Sequence, residues 1–231
     1  MMKTNFIRLT CCLTGFYLLL SAAALSPLAA APHPTPLPPL PSQVKLEVPF
    51  LCQAPFGNWD QPWQDACEEA AIIIAMHYVN GQALDKNIGN QEILDLIAFQ
   101  YQKYGGHHDL TAKMAAQLIK DYYHFTNYAL FYKFNIDDIR TALAQGNLVI
   151  APMAGRQLNN RYFSRPGPVY HYVVFIGYDE ARKEFITNDP GTKRGRGFRY
   201  KYNNAYNAIH DWAGSKENIA SGKKAMLVIF K

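Results

Sequence analysis

Three side chains in this sequence have the types needed for a nucleophilic centre: Cys67, His171 and Asp189. Cys67 stands in Gln64-Asp-Ala-Cys-Glu-Glu-Ala70, where an apolar, helix-forming stretch begins. A thiol at a helix N-terminus faces the positive end of the macrodipole, which lowers its pKa and favours the thiolate. Glu68 and Glu69 oppose that effect locally, although they suit a helix start. His171 is the second residue of the apolar, β-branched run Tyr170–Tyr178, and Asp189 follows the next strand in Asn188-Asp-Pro-Gly191. Asp179–Arg182 reads as a short hairpin connection between those two strands. The start of the first strand then lies beside the end of the second, so His171 and Asp189 become neighbours. A carboxylate on the imidazole sets its tautomer and stabilises the imidazolium, which in turn activates a thiol. Each residue alone has a plainer reading: a small buried Cys, a His satisfied by backbone, an Asp-Pro-Gly turn.

The elements that must position these residues are legible from periodicity. Helices are expected at Ala66–Tyr78, Gln91–Tyr104, Leu110–Tyr123 and Ile136–Gln145, with Asp109 and Asn135 as N-cap candidates. Strands are expected at Val44–Pro49, Tyr128–Phe134, Leu148–Met153, Tyr170–Tyr178, Lys183–Thr187, Phe198–Tyr202 and Ala225–Phe230, with a helical piece around Asn204–Trp212. Helices come first and antiparallel strands second, which is an α+β arrangement with a helical half and a sheet half.

Ahead of this domain the chain changes character. Met1–Arg8 carries two cations, Leu9–Leu25 is apolar or small, and Ala29–Ala31 is a small-residue run. That order describes a secretory signal peptide over residues 1–31, with an uncleaved membrane anchor as the alternative. Residues 32–43 include PHPTPLPPLP, a semi-rigid proline-rich spacer. The globular domain is expected over residues 44–231, exported to a periplasmic or extracellular location. Cys11 and Cys12 fall inside the signal; Cys52 reads as a free thiol, with a Cys52–Cys67 disulfide as the less favoured alternative.

Composition excludes several classes. The formal charge is +5, and setting aside Lys3 and Arg8 leaves too small an excess to argue for nucleic acid. No apolar stretch inside the domain is long enough to span a bilayer. His107-His108-Asp109 lacks further ligands at zinc spacing and reads as a helix-entry loop, so no metal and no cofactor are expected. Lys193-Arg-Gly-Arg196 with Arg199 reads as a solvated basic cluster, or else a subsite for an acidic substrate group.

Val48-Pro-Phe-Leu-Cys-Gln53, Asp65-Ala-Cys-Glu-Glu-Ala70, His171-Tyr-Val-Val-Phe-Ile-Gly177 and Asn188-Asp-Pro-Gly191 together resemble the signatures of the Peptidase_C39-like proteins, papain-fold relatives of the bacteriocin leader peptidases that cut after a double glycine. The resemblance implies a papain-like fold, Cys67 as nucleophile, His171 as general base and acid, Asp189 orienting His171, and a peptide or protein substrate. It also implies a glutamine upstream of the cysteine as oxyanion donor: Gln53, which follows the Val-Pro-Phe strand, or Gln61, whose spacing to Cys67 is nearer the papain type. Glu68 replaces the small residue usual after the nucleophile in the leader peptidases, and no transporter follows the domain. A non-catalytic peptide- or cell-wall-binding module and a transglutaminase-type acyl transferase are the competing readings.

Overall fold

The computed structural model describes residues 39–231. The signal peptide expected over residues 1–31 and most of the proline-rich spacer lie outside the described residues.

The sheet is antiparallel throughout. Its strands are β1 (Gln43–Lys45), β2 (Tyr128–Phe131), β3 (Leu148–Ala154), β4 (Tyr170–Asp179), β5 (Glu184–Asn188), β6 (Phe198–Lys201) and β7 (Met226–Ile229). They run in the order β2-β7-β3-β4-β5-β6, and β1 pairs with the end of β4 from Gly177 to Asp179. The central strand β4 is buried along its whole length, which is why it is almost purely β-branched and aromatic rather than alternating. The chain is α+β, as its order of helices and strands predicts.

The layers add to that expectation. The helices α1 (Cys67–Asn80), α2 (Lys86–Tyr104) and α3 (Ala112–Tyr123) form one layer against the sheet face that carries Ile150, Tyr172 and Val174. The later helices α4 (Ile136–Ala144) and α5 (Tyr202–Ala208) cover the opposite face, against Val149, Val173 and Phe175. A helical half and a sheet half therefore describe the chain order but not the layers. The sheet needs helices on both sides because both its faces are apolar.

The ends of elements also differ from expectation, each for a local reason. Helix α2 begins at Lys86 rather than Gln91 because the Asp85 carboxylate accepts from the Asn87 and Ile88 amides. Helix α3 is capped by the Thr111 hydroxyl, not by Asp109. In α4, Asn135 and Asp138 close a reciprocal capping box. Strand β1 is shorter than Val44–Pro49, and α5 starts directly after β6 and stops at Ala208 instead of continuing to Trp212.

Helix α1 is the element that carries the fold's centre. Twelve consecutive residues, Cys67 to Tyr78, are buried on every side. A helix buried all round belongs inside the molecule, and α1 lies between β4 and helices α2 and α3. Its first residue therefore meets β4 at the rim of the sheet.

Among the described residues no helix is long and apolar enough to cross a membrane.

Gly177 marks the bulge where the β4–β5 register shifts and where β1 joins β4. A Cβ there would sit 2.2 Å from the Val44 carbonyl oxygen, which is backbone and cannot swing away. Gly177→Ala should destabilise the protein by about 1–3 kcal/mol through overpacking, read as a lowered urea midpoint with unchanged m-value.

Candidate active site

The hairpin β4–β5 sets the first half of the site. Its register pairs Val174 with Asn188, and extending it by one pair places Asp189 opposite Val173, on the same face as His171. His171 Nε2 lies 2.7 Å from Asp189 Oδ1, and both residues are essentially without solvent exposure. Alternation turns Asn188 to the other face, where its amide donates to the Val48 and Pro49 carbonyls.

Asp189 is satisfied beyond the imidazole. The Tyr200 hydroxyl donates to Oδ2 at 2.5 Å, Asn160 Nδ2 donates to it at 3.0 Å, and the Gly191 amide donates to Oδ1 at 2.9 Å. Burial pushes this carboxyl up. The facing His171, its hydrogen bond, the Tyr200 hydroxyl and the Gly191 amide outweigh that push and hold it below the ordinary aspartate value. An ionised Asp189 fixes the Nε2 position as the protonated nitrogen of His171, leaving Nδ1 as the acceptor. Phe163 stands edge-on to the ring, centroids 5.4 Å apart. Tyr200 and Asn160 are parts of the site that sequence reasoning missed. Asn160 lies in a loop, and a strand tyrosine carries no signal of its hydroxyl's target.

The second half is the start of α1. Cys67 and His171 line one cleft of about 940 Å³, together with Gln53, Gly191, Trp59 and Lys193. The N-cap position, Ala66, has no side chain to cap the helix, so the Cys67 amide has no intrahelical acceptor. The Cys67 thiol donates not to the imidazole but to Glu68 Oε2, at 3.0 Å. The structure also reverses the expected direction of its acidity. Burial first, then the Glu68 charge and hydrogen bond and the Glu69 charge, raise the thiol well above its ordinary value; the Tyr172 backbone amide facing the sulfur opposes them. That amide places the sulfur against the strand residue next to His171.

Gln53 is buried beneath the cleft. Its amide is joined at both ends of the site: the backbone N–H donates to the Pro190 carbonyl at 2.9 Å, and Nε2 donates to the Trp63 and Gln64 carbonyls at 3.0 and 2.9 Å. Its Oε1 is buried without a partner. Gln61 does not line the cleft; it is exposed and donates through Nε2 to Asp65 at 2.7 Å.

The remaining sequence candidates separate. Cys52 and Cys67 are both free thiols, and burial pushes Cys52 up to about 11. His107 lies 3.4 Å from Glu69 Oε1, and Asp109 lies at the cleft wall. Arg199 is paired with Asp179 and Glu184, away from the cleft, while Arg194 and Arg196 lie over the rings of Tyr162 and Phe50. Of the basic cluster only Lys193 lines the cleft.

The family model of the Peptidase_C39 like family matches residues 45–218, most of the chain and every residue of this site. The chain belongs to that family. It is a cysteine-type peptidase. Its fold is similar to that of a C39-like peptidase from Bacillus anthracis, at 16% identity and a TM-score of 0.51, over 82% of this chain and 98% of that one. Xylellain, a cysteine protease from Xylella fastidiosa, aligns at 15% identity over 84% of this chain and 87% of its own, with a TM-score of 0.42. No curated protein matches the sequence significantly.

Two substitutions probe how the peptidase holds its imidazole. A Cβ at Gly191 would lie 2.7 Å from His171 Cε1 and 2.9 Å from a Phe163 ring carbon. Gly191→Ala should therefore displace the ring and reduce kcat by about tenfold or more, since small misplacements of reacting groups cost that much. Tyr200→Phe should destabilise the protein at neutral pH by about 1.5–3 kcal/mol, the worth of a hydrogen bond to a charged group. A depressed carboxyl contributes its stability above its unfolded pKa and loses it as pH falls through the folded one. The gap in urea midpoint between Tyr200→Phe and wild type should accordingly narrow below a pH of about 4.

Proposed function

We propose that the protein is an exported peptidase that cleaves peptide bonds through a thioester on Cys67, with His171 as proton shuttle and Asp189 as the group that orients it. The observation that carries this reading is the buried His171–Asp189 pair, whose histidine lines the same cleft as Cys67. Export rests on the basic, apolar and small-residue order of Met1–Ala31.

Because burial and the neighbouring glutamates favour the neutral thiol, the proton leaves as the sulfur attacks. His171 Nδ1 takes it, the S–C bond forms, and the carbonyl π pair moves to oxygen. The imidazolium faces ionised Asp189, which stabilises it without taking the proton. The Cys67 amide at the open end of α1 offers one N–H to the oxyanion. Gln53 offers a second by releasing one of its two backbone carbonyls. Collapse transfers the imidazolium proton to the leaving amine, and water, deprotonated by His171, then hydrolyses the thioester.

Cys67→Ala and His171→Ala should each abolish turnover of a peptide substrate while the thermal transition moves by only a few degrees. Retained activity in Cys67→Ala overturns the reading. Gln53→Ala should lose roughly 10²–10³ in kcat, the cost of one oxyanion donor, while Gln61→Ala loses less than about tenfold. Asp189→Asn keeps an acceptor but not the charge, so it should retain measurable activity where Asp189→Ala is clearly worse.

A further inference from the structure

Directly behind the sulfur lies a buried carboxyl group that the mechanism does not use. Glu68 is 1% exposed, and each of its oxygens has a defined partner. Oε1 accepts the Leu110 amide at 3.0 Å, and Oε2 accepts the Cys67 thiol at 3.0 Å. The Leu110 carbonyl in turn accepts the Tyr170 and Tyr172 hydroxyls, at 2.7 and 2.9 Å. The carboxyl plane is thus fixed from the loop side, with its free edge turned to the sulfur. A helix start needs no such burial to benefit from an acid, because a solvent-facing carboxylate already interacts favourably with the helix dipole.

We infer that Glu68 is a positioning residue that holds the Cys67 thiol hydrogen and restrains the nucleophile, so that the sulfur is withheld from the imidazole until that contact is exchanged. The inference rests on Cys67 being the nucleophile. When the pair holds a single proton, either S–H donates to the carboxylate or the carboxylic acid donates to the thiolate. Removing a second proton from the pair would leave two adjacent anions out of water.

The acidic groups around Glu68 work in one direction. Glu69 follows it on α1, Asp109 approaches from the loop before α3, and the hydroxyls of Tyr170 and Tyr172 face it from β4. His107, from the same loop as Asp109, is the one group of opposite sign and lies nearer Glu69. Burial first, then the Glu69 charge, pushes Glu68 up to about 8. Below that pH the carboxyl carries its own proton and does not repel a thiolate. Above it the charge appears, and thiolate formation is opposed.

The test is the rate of iodoacetamide labelling of each cysteine, read by mass spectrometry on the full chain between pH 6 and pH 10, in wild type and Glu68→Gln. Glutamine keeps the shape and the carbonyl acceptor for Leu110 but cannot ionise. Labelling of Cys67 should be similar in the two proteins at pH 6, and about tenfold or more faster in Glu68→Gln at pH 9. Buried Cys52 is the internal control and should label slowly in both. Parallel Cys67 profiles overturn the inference. Faster labelling of both cysteines at every pH also overturns it, because Glu68 then only keeps the domain closed. If Glu68→Gln fails to fold, Glu68→Asp serves: its shorter carboxylate withdraws from the sulfur, and an unchanged Cys67 profile there overturns the inference. Failure of the nucleophile assignment shows separately, as turnover by Cys67→Ala, and leaves the labelling result readable.

Discussion

A carboxylate removed wholly from water persists as an anion only where donors replace the water it has lost. Asp189 meets that condition with four: the imidazole, the Tyr200 hydroxyl, the Asn160 amide and the Gly191 amide. They come from β4, β6, the loop after β3 and the turn after β5. The sheet must therefore close around Asp189 before the charge is tolerable. Once it has closed, the orientation of His171 follows, because its Nε2 has one place to go. The Asp-Pro-Gly turn contributes both the carboxylate and the amide that accompanies it, which makes it part of the site's construction and not merely the end of a strand.

The Cys67 thiol is held by a second knot. Leu110 receives hydrogen bonds from two tyrosines of β4 through its carbonyl and gives its amide to Glu68 on α1. One residue of a loop thereby joins the helical layer to the central strand beside the sulfur. Asp211 reinforces it, accepting the Ala112 amide at 2.8 Å at the entrance to α3. The two knots share no hydrogen bond, yet both are built on β4, where His171 lies between Tyr170 and Tyr172.

How much of this was legible in the sequence varied with the range of the interaction. The hairpin pairing of His171 with Asp189 follows from strand alternation and a short connection, both local properties. The helix beginning at Cys67 is equally local. The donors from Asn160 and Tyr200 are not, since nothing in a loop asparagine or a strand tyrosine names its distant acceptor. The direction of the Cys67 shift was misjudged for a related reason. The helix dipole is visible in sequence, whereas the burial of Glu68 and Glu69 depends on loop 105–111 folding over them. Two acids at a helix start ordinarily mean a solvated first turn; here they continue a run of buried residues. The covering of the far sheet face by α4 and α5 was likewise hidden, because chain order lists helices before strands without saying which side each takes.

Gln53 is anchored to the Pro190 carbonyl by its backbone and to the Trp63 and Gln64 carbonyls by its side chain. The chain between those anchors, residues 54–62, forms a closed excursion whose base is fixed on both sides. Its tip exposes Phe56 and Trp59 at the mouth of the cleft. A substitution or insertion at this rim would change the mouth of the cleft without removing either anchor of Gln53.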